Sequence, residues 1–340
     1  MSSAPLLPTY DLSADEVVAL DESLAKVLAY GHSPTANDFY DQGWLHDNVL
    51  PAGLLGFLRH FRAQEPAAAC VIRGLPVRDD STGPTPRNWR DAAASGLAAR
   101  EDAYLGLVAS TLGEVFSWST LQTGRLICDV VPIKGEESQQ SGHGQVLLEW
   151  HTEDAFHPQR CHYLLLLGVR NRDRTPTTLA SIRDVTIPEE YRRILSELRF
   201  FILPDNEHLR QLAERDPNHP GLAHMRRMRD EPEPVAVLFG DLASPYLRID
   251  PFFMRAVDGD TEADAALRYL VQALEHVLHD VVVEPGSVLV VDNYLAVHGR
   301  RALKARFDGT DRWLKKAIVM RDLRPSRHLR ASAASRVLLG

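Results

Sequence analysis

Features that would mark an exported, membrane or disulfide-stabilised protein are missing from the 340-residue sequence. No apolar run approaches the roughly 20 residues that span a bilayer, and the N-terminus lacks the basic region and apolar core of a signal peptide. The only cysteines are Cys70, Cys128 and Cys161. They include no close pair suited to a zinc knuckle, and their odd number gives no disulfide framework. We therefore expect a protein of the reducing cytoplasm.

A basic surface, a linker and a repeat are missing too. The 38 lysines and arginines are outnumbered by 46 aspartates and glutamates, and the net charge of −8 argues against a nucleic-acid partner. The charge suits a cationic ligand, although solubility alone also explains it. No Pro/Gly/Ser-rich segment splits the chain, and 44% apolar residues suffice for one large core. We predict a single domain at 1–340, with a helical part at about 14–112 and an insertion at about 204–232.

Periodic apolar residues predict several helices and many short strands. Helices, the first capped by Ser13 and the third stopped by Gly113, are predicted at 14–30, 52–63, 92–112, 188–198 and 263–278. Strands are predicted at 69–76, 115–118, 125–131, 145–150, 163–169, 177–182, 235–239, 246–249 and 287–294. This pattern is typical of a mainly β fold, a double-sheet jelly roll of the cupin kind flanked by helices.

Polar segments between these elements are interpreted as surface. Residues 79–87 are expected to form a loop, and the arginine-rich tail after Asp322 is expected to fray. Residues 204–232, with Arg226, Arg227 and Arg229 close together, predict a solvated insertion. The polar loop 134–144 is either a lid over a site or an ordinary exposed loop.

The strand that closes at Trp150 leads into two metal-ligand side chains. His151 and Glu153 are two residues apart, so an extended chain projects them to the same side. His298 follows the run 287–294 and becomes a third ligand if the two runs pair. Two histidines and one carboxylate on one side of a metal form the arrangement of non-haem Fe(II) oxygenases. A His-x-Glu pair alone is a weak signal, because chance produces it often in a chain with 14 histidines.

Arg312 strengthens the oxygenase interpretation. A buried arginine at the rim of a sheet needs an acidic partner, and the carboxylate of a cosubstrate would supply one by bidentate pairing. Zinc would accept the same three metal ligands. The helical His-Glu-x-x-His signature of zinc hydrolases is absent, however, which makes a metallohydrolase a poor alternative.

Together these residues resemble the 2-oxoglutarate-dependent oxygenases of the clavaminate synthase-like group. The resemblance rests on His151-x-Glu153, Thr177-Thr178, His298, and Arg312 fourteen residues after His298. Longer stretches narrow it to the bacterial hydroxylases of free arginine and related basic amino acids in peptide-antibiotic pathways. They are Trp-His-Thr-Glu-Asp-Ala-Phe-His-Pro at 150–158, Asp-Asn-Tyr-x-x-Val-His-Gly-Arg at 292–300 and Arg-Phe-Asp-Gly-x-Asp-Arg at 306–312. The resemblance covers about residues 15–330 and implies a distorted double-stranded β-helix.

The resemblance implies Fe(II) bound by His151, Glu153 and His298, with 2-oxoglutarate as cosubstrate and O2 as oxidant. It implies that Arg312 grips the C5 carboxylate of 2-oxoglutarate with help from the hydroxyl of Thr178 or Thr177. A threonine in a strand needs no such role, however, because its β-propensity alone explains its presence there.

The resemblance also implies a set of substrate-binding residues, namely Gln122, Ser141, Glu153, Asp205, Asp250 and Lys316. A buried cationic end of a basic amino acid needs carboxylates, and Asp205 and Asp250 stand where the arginine hydroxylases hold the guanidinium. Both aspartates also suit turns or helix caps. Lys316 stands where the family has a basic residue facing the substrate carboxylate, but lysine cannot pair bidentately as arginine does.

The sequence therefore predicts an Fe(II)/2-oxoglutarate-dependent dioxygenase that hydroxylates free L-arginine at C3, and at C4 if it acts twice, in antibiotic biosynthesis. Succinate and CO2 would be released. A close derivative such as enduracididine, or lysine, is an alternative substrate. The alternative from another class is a non-catalytic cupin-like protein that binds metal or a small molecule. Arg312 and Thr178 argue against it, because a mere binder has no need of a cosubstrate clamp.

Overall fold

The protein, as a computed structural model, is described at residues 7–43 and 48–339, apart from the side chain of Arg215. Of the single domain predicted at 1–340, residues 1–6, 44–47 and 340 lie outside this range. The helices are α1 (Ala14–Ala29), α2 (Asn37–Asp41), α3 (Ala52–Gln64), α4 (Asp79–Thr82), α5 (Trp89–Ser95), α6 (Ala99–Leu112), α7 (Glu189–Leu195), α8 (Asn206–Arg215), α9 (Pro220–Asp230) and α10 (Thr261–Val277).

The strands are short and follow one another through the whole chain. They are β1 (Thr9–Asp11), β2 (Ala69–Arg73), β3 (Glu114–Trp118), β4 (Cys128–Val130), β5 (Leu148–His151), β6 (Tyr163–Arg170), β7 (Thr177–Ser181), β8 (Phe200–Ile202), β9 (Leu238–Asp241), β10 (Ser244–Leu247), β11 (Met254–Ala256), β12 (His279–Val281), β13 (Val288–Asp292), β14 (Ala296–Arg300), β15 (Trp313–Met320) and β16 (Val337–Leu338).

Two main sheets carry the fold. The larger sheet has the order β1-β2-β13-β6-β15-β3-β16, with β4 also paired to β15, and the smaller sheet has the order β12-β7-β14-β5. The chain passes from one sheet to the other between β5 and β6, between β6 and β7, and between β13 and β14. This alternation is that of a double-stranded β-helix, so the predicted fold class is confirmed.

The larger sheet separates two apolar cores. Every residue of β6 is buried, as its continuous apolar run predicts. Leu165 and Leu167 face a core shared with helices α1, α3 and α6, whereas Leu164 and Leu166 face the core between the sheets. Each fully buried leucine stabilises the fold by about 1.5–3 kcal/mol. The helices therefore back the sheet that supports the site.

Two predictions for the N-terminal half are wrong in part. The helix predicted at 92–112 is divided into α5 and α6, because Gly96 takes a left-handed conformation with φ 64° and ends α5. The surface loop predicted at 79–87 contains the short helix α4. Its Asp79 accepts a hydrogen bond from the buried Arg170, with Nη2 and Oδ1 2.5 Å apart.

Two further segments are less solvated than predicted. Residues 204–232 form α8 and α9, whose buried apolar residues include Leu212 and Met225, although the predicted arginine cluster at 226–229 is exposed. The tail after Asp322 does not fray, because β16 pairs in parallel with β3. Arg330 is buried there and donates hydrogen bonds to backbone carbonyls. An arginine count alone misses such burial, since the stem of arginine packs against apolar surface.

Candidate active site

The predicted metal ligands converge at one point of the smaller sheet. His151 ends β5 and pairs directly with His298 of β14, and Glu153 follows two residues later. The Oε2 atom of Glu153 lies 3.2 Å from Nε2 of His298 and 4.0 Å from Nε2 of His151. The three candidate ligand atoms all lie within 4.8 Å of one another. They therefore occupy one side of a common point, as a facial triad requires.

Neighbouring polar groups orient these ligands. His151 uses Nδ1 on the carbonyl of Glu149 at 2.8 Å, so Nδ1 carries the proton and Nε2 keeps its lone pair for a metal. The Asn293 side chain accepts from the backbone N–H of Glu153 at 2.7 Å and donates to its carbonyl at 3.0 Å. Burial alone would raise the pKa of Glu153, but the charge of Lys316, and then the hydrogen bond from His298, hold it well below its usual value.

The donor set fits a divalent metal. Burial lowers the pKa of His298, which keeps the ring in the neutral form that metals bind. Two imidazole nitrogens and one carboxylate oxygen suit Fe(II) and leave the opposite side open for exchangeable ligands. His151, Glu153 and His298 would hold the ion there.

An anion site lies beside the triad. Arg312 is buried, and its only hydrogen bond among the described residues goes from Nη2 to the Thr177 hydroxyl at 3.3 Å. Arg300 is buried as well and donates to the carbonyls of Gly144 and Val146 at 2.9 and 3.1 Å. Burial, and then the charge of Arg300, lowers the pKa of Arg312 to about 9. Among the described residues, the hydrogen bonds of the two guanidiniums go to backbone carbonyls and to the Thr177 hydroxyl and none goes to a carboxylate, so a carboxylate ligand fits here.

One cavity joins the triad and this anion site to a second, acidic end. The acidic end is lined by Asp205, Glu207 and Asp250, with Phe252 and Phe253 at its wall. Opposite charges thus occupy opposite ends of one space. A ligand pair with an anionic group near Arg312 and a cationic group near the aspartates would match it.

The family follows from comparison with known proteins. Residues 98–318 match the family described as taurine catabolism dioxygenase TauD, TfdA family. The chain belongs to the TauD/TfdA dioxygenase family. It is 40% identical to enduracididine beta-hydroxylase of Streptomyces hygroscopicus, over 97% of this chain and 99% of that protein. It is 39% identical to L-ornithine/L-arginine 3-hydroxylase of Catenulispora acidiphila, over 85% and 87% of the two chains.

Solved structures agree with this membership. The non-haem iron oxygenase OrfP, in complex with Fe, succinate and (3S)-hydroxy-L-Arg, superposes with a TM-score of 0.91 at 38% identity, covering 97% of this chain and 99% of OrfP. OrfP has also been solved with Fe and alpha-ketoglutaric acid, with a TM-score of 0.86. The fold of this TauD/TfdA member and that of OrfP are therefore the same.

The cavity contains most of the predicted substrate residues. Ser141, Asp205, Asp250 and Lys316 all line it, and Lys316 Nζ lies 2.7 Å from Oε1 of Glu153. Gln122 is the exception, because its side-chain amide is bound to the backbone of Asp129 at 2.8 and 3.0 Å and does not line the cavity. A substrate role for these residues remains a prediction.

The threonine beside Arg312 is Thr177 and not Thr178. Thr177 pairs with Arg300 and lines the cavity. Thr178 pairs with Gly299 and points to the other face of β7, where a Cβ on Gly299 would lie 2.8 Å from its hydroxyl. Alternation along a strand allows only one of two adjacent threonines to face the site.

Several site residues were given no role from the sequence. Arg300 ends the motif at 292–300. The burial of its charged side chain in the structure identifies it as a site residue. Asp154, Glu207 and His208 also line the cavity, and two of them come from the segment that was interpreted as a solvated insertion.

No helix in the described ranges 7–43 and 48–339 is long and apolar enough to cross a membrane.

Proposed function

We propose that this protein is an Fe(II)/2-oxoglutarate-dependent dioxygenase that hydroxylates free L-arginine, or a close derivative, at C3. The observation that carries the proposal is the charge pattern of the one cavity. It has a two-histidine, one-carboxylate triad and two guanidiniums without a carboxylate partner among the described residues at one end, and aspartates at the other. The relatives named above act on arginine, ornithine or enduracididine at the corresponding carbon.

The residues at the metal end have separable tasks. His151, Glu153 and His298 hold the metal, and Arg312 with Thr177 receives the distal carboxylate of 2-oxoglutarate. The chemistry supplied by bound iron and 2-oxoglutarate is insertion of one oxygen atom of O2 into a C–H bond, with release of succinate and CO2. The Lys316 ammonium keeps Glu153 ionised through its contact of 2.7 Å.

The acidic end receives the cationic end of the substrate. Asp205 and Asp250 each use Oδ1 to accept backbone N–H groups, at 2.9 and 3.1 Å for Asp205 and 3.1 and 3.2 Å for Asp250. Oδ2 of each carries no hydrogen bond among the described residues and is free for a ligand. Burial raises the pKa of both carboxyl groups, and an incoming guanidinium would favour their ionised forms.

Hydroxylation of an enduracididine-like cyclic guanidine is the second candidate, because the first relative named above acts on that substrate. It carries the same cationic group and would use the same aspartates. A cupin-like binder without turnover is less well supported. A buried Arg312 without an acidic partner costs stability unless a carboxylate ligand arrives.

Succinate formation tests the proposal directly. Purified protein with Fe(II) and 2-oxoglutarate would be given L-arginine, L-homoarginine, L-ornithine, L-lysine or L-citrulline, with and without O2. We expect O2-dependent succinate in step with a singly oxygenated product, fastest for arginine and slow for uncharged citrulline. A protein that binds arginine but forms no succinate above the amino-acid-free rate would contradict turnover. Equal rates for arginine and citrulline would contradict recognition of the cationic end.

A further inference from the structure

A second polar cluster, outside the metal triad, connects the two ends of the cavity. Asp154 accepts a hydrogen bond from the Trp118 indole, with Nε1 and Oδ2 2.6 Å apart. Its other oxygen lies 3.1 Å from Nε2 of His208. The remaining ring nitrogen of His208 lies 2.6 Å from the Thr120 hydroxyl. His208 is completely buried, and Trp118 and Thr120 are 1% exposed.

This cluster is a hydrogen-bond network and not a second metal site. Asp154, Asp205 and His208 do bring possible ligand atoms within 4.8 Å of one another. Both nitrogens of His208 are already used, however, and each Asp154 oxygen accepts a bond. Burial alone would lower the pKa of His208, but the carboxylates of Asp205 and Asp154 raise it above its usual value. The ring therefore donates from Nε2 to Asp154, as a carboxylate acceptor requires.

The network acts on two segments at once. Asp154 directly follows Glu153 and has a left-handed backbone with φ 52°, a conformation that is unfavourable for most residues other than glycine. Two side-chain hydrogen bonds hold it there. His208 lies in the first turn of α8, and Asp205 caps this turn by accepting the N–H groups of Glu207 and His208. The bond between Asp154 and His208 thus joins the segment after β5, which carries the metal ligand Glu153, to the first turn of α8, which Asp205 caps.

We propose that His208 is a positioning residue that fixes the acidic end of the cavity relative to the metal through its bond to Asp154. In a hydroxylase the carbon that reacts is the one held nearest the metal. The distance between the carboxylates that grip the cationic end and the metal therefore decides which carbon that is. Loss of the bond would let α8 move while the metal and 2-oxoglutarate sites, held by the strands, stay intact. The inference rests on the proposed function for its substrate.

Two amide substitutions form a matched pair. In His208→Gln the amide nitrogen reaches the place of Nε2 and can still donate to Asp154. In His208→Asn the amide reaches only the place of Nδ1, near Thr120. Both variants replace the ring by an uncharged amide, so the pair isolates the bond to Asp154 from any effect of charge.

For His208→Asn we expect the KM for arginine to rise about tenfold, the usual weight of a charge-assisted hydrogen bond. The KM for 2-oxoglutarate should stay within about twofold. We further expect more succinate per hydroxylated product and a larger share of product oxygenated away from C3. His208→Gln should restore most of the coupling and the product ratio. Equal impairment of both variants, or equal rises in both KM values together with a lower Tm, would overturn the proposal.

Hydrogen exchange provides a second test of the proposal, one that needs no amino-acid substrate. In the anaerobic Fe(II)- and 2-oxoglutarate-loaded protein, backbone amides of residues 207–212 should exchange faster in His208→Asn than in wild type or His208→Gln. The same rates in all three proteins would overturn the tie between His208 and Asp154. If wild type fails to turn over arginine, the proposed substrate is wrong, and the exchange result still decides the role of His208.

Discussion

The metal end and the acidic end of the cavity are built from different parts of the fold. His151, Thr177, His298 and Arg300 stand on paired strands of one sheet, and their register is fixed by backbone hydrogen bonds. Asp205 stands at a helix cap, and Asp250 in the turn after β10. Strand register leaves little freedom, whereas caps and turns can move without breaking the sheet. In the proposed function, the sheets therefore fix the chemistry, and the segments between them select the substrate.

The same difference explains what the sequence could and could not reveal. His151 and Glu153 are predictable because alternation along a strand is local, and His298 followed from one plausible pairing of two apolar runs. The choice between Thr177 and Thr178 could not be made from the sequence, because it depends on the register of β7 against β14, which no local pattern contains. Burial of His208 was missed, because the charge of 204–232 concealed the apolar face that α8 and α9 turn to the core.

The strongest test removes a metal ligand. We expect His151→Ala or His298→Ala to abolish succinate formation, because one imidazole and one carboxylate cannot hold Fe(II) in a facial geometry. Tm without metal should change little, since both sites lie on strands that keep their backbone pairing. The measurement is succinate release at saturating Fe(II), with circular dichroism as the check on folding. A rate near that of wild type in either variant would show that the substituted histidine is not a metal ligand.

The acidic end is tested next, through Asp250→Asn. Removing one partner of a buried ion pair costs about 3–5 kcal/mol, so the KM for arginine should rise by roughly a hundredfold or more. The KM for 2-oxoglutarate should stay nearly constant, because the metal end is untouched. Arginine should also lose its advantage over citrulline, which has the same shape without the charge. Asp258→Asn, at an exposed carboxylate outside the cavity, is the matched control. An unchanged preference for arginine would show that another residue reads the cationic end.

A smaller effect is expected at the cosubstrate clamp. Arg312→Lys keeps the charge but loses the planar fork, so we expect the KM for 2-oxoglutarate to rise about tenfold. The KM for arginine should rise less than twofold, on the order of the scatter between independent sites. Initial-rate kinetics with each compound varied in turn would measure both. If the two KM values rise together, Arg312 supports the fold of the cavity and not the cosubstrate in particular.

The smallest effect separates two adjacent threonines and so tests how strictly the sheet fixes the metal end. Thr177→Val removes the hydroxyl that accepts from Arg312 at 3.3 Å, a distance longer than usual, so we take the contribution of a typical hydrogen bond, about 0.5–1.5 kcal/mol. The KM for 2-oxoglutarate should therefore rise roughly two- to tenfold. Thr178→Val has the same shape change on the opposite face of β7, so it should leave that KM unchanged and alter only Tm. If Thr178→Val raises the KM and Thr177→Val does not, the register of β7 against β14 differs by one residue. A slip of β7 alone would exchange the two threonines at the cavity, whereas His298 and Arg300 would keep facing it, because β14 is also held by its pairing with β5.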